Sequence, residues 1–251
     1  MRELLRTNDL TKAYGHVFAA HKVTLSLEEG VLTSIIGPNG AGKTTLINLI
    51  SGSVNPDSGS IYFQGVDITN WPTHKRIKMG IGRSFQIMNI FPRLTVFDNL
   101  RIPILAMMGK GSSIFSRLDG QVDVAEKVDE VLETVGLADE RDLPAQNLSH
   151  GDQRLLEIGI ALATRPRLLF LDEPTAGMNP LERVKILENI RRLAESGETT
   201  FVIVEHDMDI VFALSDRIVV MHRGRVIADG SPDEIRDTEE VREIYLGEEI
   251  R

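Results

Sequence analysis

The sequence predicts an α/β protein with a mostly parallel sheet, into which a helical lobe is inserted. Three observations carry this. Short runs rich in β-branched and apolar residues alternate with helix-like segments along most of the chain, a Gly-rich loop stands between one such run and a helical pattern, and the pattern turns wholly helical between about residues 86 and 165. With 251 residues, 42% of them apolar and 26% charged, the chain has room for one large domain, or a domain with a sizeable insertion.

Residues 1–9 mix Arg2, Glu3, Arg6 and Asp9 into apolar positions, which suits a first strand and lacks the apolar core of a secretory signal. Residues 23–27 and 31–36 read as strands joined by a tight turn at Glu29-Gly30. The Gly-rich loop follows at once, and a helical pattern over 46–50 ends at Gly52. Residues 59–63 form a further strand. The lobe's helices are expected over 96–104, 122–135 and 155–163, with a Gly/Ser-rich connector at 109–113. Strands at 168–171, 200–204 and 217–221 follow, with a helix over 180–195 between the first two, and two short acidic helices at 232–235 and 239–246 close the chain. The expected division is a core of 1–85 and 166–230, a lobe of 86–165 and a tail of 231–251.

Composition excludes several classes. The excess of 37 acidic over 28 basic residues, a net charge of -9, argues against nucleic acid as a partner. The stretch nearest to a membrane span, 100–108, is short and carries Arg101 and Pro103, so no direct membrane insertion is expected. Zero cysteines exclude disulfides and thiol chemistry and suit the cytosol.

Gly37-Pro38-Asn39-Gly40-Ala41-Gly42-Lys43-Thr44 satisfies the P-loop pattern and sits after strand residues Ile35-Ile36 and before a helix opening at Thr45, as phosphate binding requires. Backbone N–H groups of a Gly-rich turn converge on an anion only where no Cβ intervenes, and the following helix adds its positive end. Lys43 is expected to span the β and γ phosphates and Thr44 to hold Mg²⁺. No guanine-specific Asn-Lys-x-Asp tetrad occurs, so ATP is favoured over GTP. The apolar run 168–171 ends in Asp172-Glu173, the second arm of such an ATPase. Because neighbouring strand side chains point opposite ways, Asp172 is expected to face the Mg²⁺ shell and Glu173 the attacking water, as general base or water-positioning residue. His206 follows the strand 200–204 and Glu205, which brings it to the same sheet edge as a γ-phosphate contact.

With these motifs in view, the chain resembles the ATP-binding subunits of ABC transporters over nearly its whole length. The discriminating piece is Leu148-Ser149-His150-Gly151-Asp152-Gln153, which is similar to the family signature opening a helix in the inserted lobe. The resemblance implies a RecA-like P-loop core, an N-terminal antiparallel β subdomain and the inserted α-helical subdomain. It also implies a head-to-tail dimer in which Ser149 and Gly151 of one subunit meet the γ-phosphate held by the other's P-loop, the pair being a homodimer or a heterodimer. Ser149 can cap the helix, so its hydroxyl, the Gly151 N–H and the helix's positive end make a second anion site.

Further positions carry over singly. Tyr14 resembles the aromatic that stacks on adenine, and Gln86 the glutamine that ligates Mg²⁺ and links core to lobe. Residues 176–179 stand where the family has its dimer-contact loop. The chain departs from the common signature at His150 and Asp152, where glycine and glutamine are usual, and its dimer loop ends in Asn179 rather than aspartate; Asn179-Pro180 is also a good N-cap and N1 pair.

The apolar stretch 87–94, with Met88, Ile90, Phe91 and Pro92, stands where the family has a groove for a short helix of the membrane permease subunits. That places the chain peripherally on the cytoplasmic face of the inner membrane. Residues 150–154, 176–180 and 245–248, and the insertion at 109–120, resemble one of the two ATPase subunits of branched-chain amino acid importers. Similar subunits serve urea or short-amide importers, and the lipopolysaccharide-export ATPase shares the Tyr-Leu-Gly end.

Overall fold

The computed structural model describes residues 2–84, 90–109 and 121–246. Four antiparallel strands form the first sheet, in the order β2-β1-β4-β5: β1 (Glu3–Tyr14), β2 (Val17–Glu28), β4 (Ser58–Phe63) and β5 (Val66–Asp67). The first two strands outrun their sequence limits. The first strand is expected over residues 1–9; Asp9 takes a left-handed φ of 47° inside a register shift between Thr7 and Leu10, so β1 bulges there and continues to Tyr14.

Between them lie β3 (Thr33–Ile36) and α1 (Lys43–Ser51), followed after β5 by α2 (Thr73–Met79) and β6 (Ile81–Arg83). The helical stretch comprises α3 (Val96–Met107), α4 (Gln121–Val135) and α5 (His150–Leu162). The chain then runs through β7 (Leu168–Asp172), α6 (Pro180–Glu195), β8 (Thr200–Val204), α7 (Met208–Leu214), β9 (Arg217–His222), β10 (Arg225–Gly230), α8 (Pro232–Asp237) and α9 (Glu239–Leu246). The second sheet has the order β10-β9-β3-β8-β7-β6 and is parallel throughout except for the β9–β10 hairpin.

Period-two alternation divides the core. Leu169 and Leu171 of β7 and Phe201 and Ile203 of β8 face the cluster that contains Leu100, Val128, Leu155 and Leu156 of α3–α5. Leu168 and Phe170, with Val202 and Val204, face the other way, onto α1 and the antiparallel sheet. The inserted helices and the nucleotide-side core therefore press on opposite faces of the same strands. Among the described residues no helix is long and apolar enough to cross a membrane. Gln86, residues 87–89 of the expected groove, residues 110–120 of the insertion and Gly247-Glu248 lie outside the described residues.

Candidate nucleotide-binding site

Strands β3, β8 and β7 are parallel neighbours, so their C-terminal ends share one edge. From that edge emerge the Gly37–Thr44 loop, Glu205-His206 and Glu173. Two of the glycines are sterically required: a Cβ on Gly37 would come within 2.1 Å of the Met221 carbonyl oxygen, and one on Gly42 within 2.0 Å of that of Ala19. The helix begins at Lys43, earlier than the Thr45 expected, with Gly42 in a left-handed conformation before it. Lys43 is buried, and its Nζ donates to the Pro38 carbonyl at 3.1 Å and to that of Gly37, so the ammonium curls over its own loop. Thr44 is exposed in the first helical turn, beside the half-buried Thr45.

Asp172 closes β7 with 1% exposure. Its Oδ2 accepts from Arg83 Nη2 at 3.1 Å, while Oδ1 is buried with no hydrogen-bond partner. The same guanidinium donates to Asn48 Oδ1 on α1, which ties the helix of the phosphate loop to the end of β7. Glu173 lies just beyond the strand with φ of 48°, so strand alternation does not set its direction. The left-handed turn aims it at His206, with Glu173 Oε1 and His206 Nε2 2.5 Å apart. Behind them Glu205 is 5% exposed and accepts from the Thr175 hydroxyl at 2.7 Å and the Thr175 N–H at 3.2 Å. Burial pushes the Glu205 carboxyl above the usual carboxylate range, with a smaller push from Glu173, against the pull of its donors.

Ser149 is the N-cap of α5: its Oγ accepts from Asp152 N–H at 3.1 Å and its hydroxyl donates to Asp152 Oδ2 at 2.7 Å. Asp152 Oδ1 accepts from Lys185 Nζ on α6 at 2.7 Å. Burial pushes the Asp152 carboxyl up, but Lys185 and Ser149 together outweigh it and hold it below the usual range. A Cβ on Gly151 would meet the Glu182 side chain at 3.2 Å, and the His150 ring lies 4.0 Å from where a Cβ on Gly177 would stand. Asn179 is the N-cap of α6, in a reciprocal box with Glu182 and with Pro180 in the first turn. Tyr14 ends β1 at 53% exposure, with the Lys12 ammonium 5.8 Å from its ring centre.

The structure thus gathers Gly37–Thr44, Asp172, Glu173 and His206 on one edge, whereas the hydrogen bonds of Ser149 stay within its own helical turn. Sequence reasoning missed Arg83, Glu205 and Arg154, charged residues whose buried partners are distant in the chain and leave no periodic signal. A cavity of about 520 Å³ opens at the opposite ends of β7 and β8, between Met107, Val131, Arg165 and Phe201, away from all of these groups.

A phosphate loop, an orphaned buried aspartate oxygen and a glutamate–histidine pair on one parallel-sheet edge define a P-loop ATPase. Within that class the chain belongs to the ABC transporter family, whose sequence profile matches residues 20–176. A second profile, described as branched-chain amino acid ATP-binding cassette transporter, matches residues 225–250. The chain is 40% identical over 250 residues to the "probable branched-chain amino acid transport ATP-binding protein LivG" of Archaeoglobus fulgidus, covering 98% of this chain and 96% of that one. It is 38% identical to the high-affinity branched-chain amino acid transport ATP-binding protein LivG of Salmonella typhimurium, with 98% of each covered. Among solved structures, the ADP conformation of an ATP-binding cassette of an ABC transporter superposes with a TM-score of 0.87 at 34% identity, over 98% of this chain and 100% of that one. A dimeric post-hydrolysis cassette bound to ADP and Pi gives a TM-score of 0.75 at 27% identity, over 91% and 99%. The protein is accordingly a nucleotide-binding, ATP-hydrolysing cassette of an ABC transporter.

Proposed function

We propose that this chain is the ATPase subunit of an importer of branched-chain amino acids. It would work as a head-to-tail dimer on the cytoplasmic face of the membrane. The observation that carries the chemistry is the Glu173–His206 contact of 2.5 Å beside the buried Asp172, on the edge that also bears Lys43. Lys43 exchanges its loop carbonyls for the β and γ phosphates, and the N–H groups of 37–45 cradle them. Tyr14, half-exposed at the strand end, stacks on adenine.

The donor set fits a magnesium ion. Asp172 Oδ1 is a buried carboxylate oxygen lacking a hydrogen-bond partner, which suits an ion held by one carboxylate plus substrate phosphates. Asp172, the Thr44 hydroxyl and Gln86 would hold it, Gln86 being outside the described residues. The ion supplies charge neutralisation on the phosphates. Glu173 orients the attacking water and takes its proton, and His206 holds Glu173 in place and reaches the γ-phosphate. Ser149 and Gly151 of a second subunit complete each site.

Glu173→Gln tests this: ATP hydrolysis falls about 100-fold or more while ATP binding persists. Hydrolysis at the wild-type rate would remove Glu173 from the mechanism.

The division into core (1–85 and 166–230), lobe (86–165) and tail (231–251) draws support from the consecutive helices α3–α5, which pack on one face of β7 and β8 while α1 packs on the other. Phe91, 52% exposed, and Leu94, 37% exposed, support a permease groove there. Phe91→Asp is expected to lose co-purification with the membrane subunits while leaving ATP binding intact; unchanged co-purification would refute the groove. The substrate class rests on the named relatives and on the profile over 225–250. Vesicles carrying the full transporter should take up leucine or valine when supplied with ATP. Uptake of urea or short amides instead, or lipopolysaccharide export, would replace this substrate.

A further inference from the structure

The signature helix carries a buried cation that no step above uses. Arg154 lies five residues after Ser149 on the same helix and is 6% exposed. Its Nη2 donates to the carbonyls of Asp172 at 2.8 Å and Glu173 at 3.0 Å, its Nε to that of Pro174 at 3.3 Å, and its Nη1 to the buried Glu157 carboxylate. One planar guanidinium therefore grips three consecutive carbonyls around the catalytic glutamate. Neutralising Glu157 would need only a charge, which a lysine also has. Reading three adjacent carbonyls takes the fixed donor geometry of arginine.

The carbonyls gripped are those where the chain leaves β7 and enters the left-handed turn at Glu173, a conformation that the following Pro174 disfavours. The direction of the Glu173 side chain is thus set by peptide planes that Arg154 holds.

We propose that Arg154 is a positioning residue that makes hydrolysis at one ATP depend on engagement of the other. The inference rests on the reading above, in which Ser149 and Gly151 contact the partner's nucleotide and Glu173 serves its own. Little more than one helical turn separates Ser149 from Arg154, so α5 carries both as a rigid piece. The lone subunit already makes these contacts. When the head of α5 docks on the neighbour's phosphate, the helix is immobilised and, through Arg154, so are the 172–174 peptides. Glu173 is held firmly on its water only when the neighbouring ATP is engaged, and the two sites fire as a pair.

The test is steady-state ATP hydrolysis by the full chain across ATP concentrations. Arg154→Met combined with Glu157→Leu removes both buried charges at once, and Arg154→Lys keeps the charge but loses the planar geometry. Binding of a fluorescent ATP analogue to each variant is expected within about twofold of wild type. Turnover is expected to fall about 10- to 100-fold, with the Hill coefficient dropping from about 2 toward about 1. If the double substitution does not fold, Arg154→Lys supplies the same two readouts. Wild-type turnover and cooperativity in a folded Arg154 variant would overturn the inference and leave Glu173 untouched. Wild-type turnover by Glu173→Gln with Arg154 intact would overturn the catalytic reading and the inference with it.

Discussion

Glu205 shows how one buried side chain links two functional segments. It precedes His206, and its carboxylate holds Thr175 in the loop that leads from Glu173 toward Asn179. Because burial raises its folded pKa above the ordinary value, the folded protein binds the extra proton more readily than the unfolded chain does. The wild type is therefore favoured most below the usual carboxylate range and loses that share of stability as pH climbs through the window up to the raised value. Glu205→Gln keeps an acceptor for Thr175 without the charge. Its melting temperature is expected to exceed wild type by about 2 °C at pH 8, and the gain should vanish below about pH 4; a melting temperature below wild type at pH 8 would contradict the assignment. Asp152 behaves oppositely: its lowered pKa means that the bonds from Lys185 and Ser149 stabilise above the ordinary value and are lost as pH falls through the folded one. The P-loop, Asp172, Glu173, His206 and Ser149 were legible in the sequence because each sits at a fixed offset in a motif. The aim of Glu173 was not, since a left-handed φ at a non-glycine residue, which the following Pro174 disfavours, is held by contacts distant in sequence such as those of Arg154 rather than announced by its own type.

Helix ends decide much at the scale of elements. Asn179 was legible as a cap from Pro180 alone, and at the head of α6 it forms in addition a reciprocal box with Glu182. Asn179→Ala is expected to cost about 1 kcal/mol in denaturant unfolding; a cost near zero would mean that solvent replaces the cap. The C-terminal end of α1 is closed by a residue that no local pattern announces. Arg76 of α2 is fully buried and donates to the carbonyls of Leu49 and Ile50, and to those of Thr69 and Trp71. Burial pulls its pKa down to about 10, yet at neutral pH the cation stays charged against the negative end of the helix. Arg76→Met would orphan four carbonyl contacts and is expected to cost about 3 kcal/mol, a loss that chemical denaturation would read directly. The short α2, β5, β6, α7 and β10 escaped the sequence reading because spans of two to seven residues hold less than two helical turns or only a brief strand alternation.

For the whole molecule, the parallel order β9-β3-β8-β7 places the phosphate loop, His206 and Glu173 on one edge, while α5 presents Ser149 from a helix of the inserted lobe. On the reading proposed above, the triphosphate is held from two sides, by the Lys43 loop of one subunit and the Ser149 helix of another. The chain has no native cysteine, so introduced thiols report contacts without background. The direct measurement mixes protein bearing Asn39→Cys with protein bearing His150→Cys, both in the Glu173→Gln background, and adds a short bifunctional thiol cross-linker. A cross-linked dimer of the two proteins is expected to form with ATP and magnesium and to be absent without nucleotide. Contradiction would come from ATP being held with full affinity while no such cross-link forms, because each protomer would then enclose its nucleotide alone.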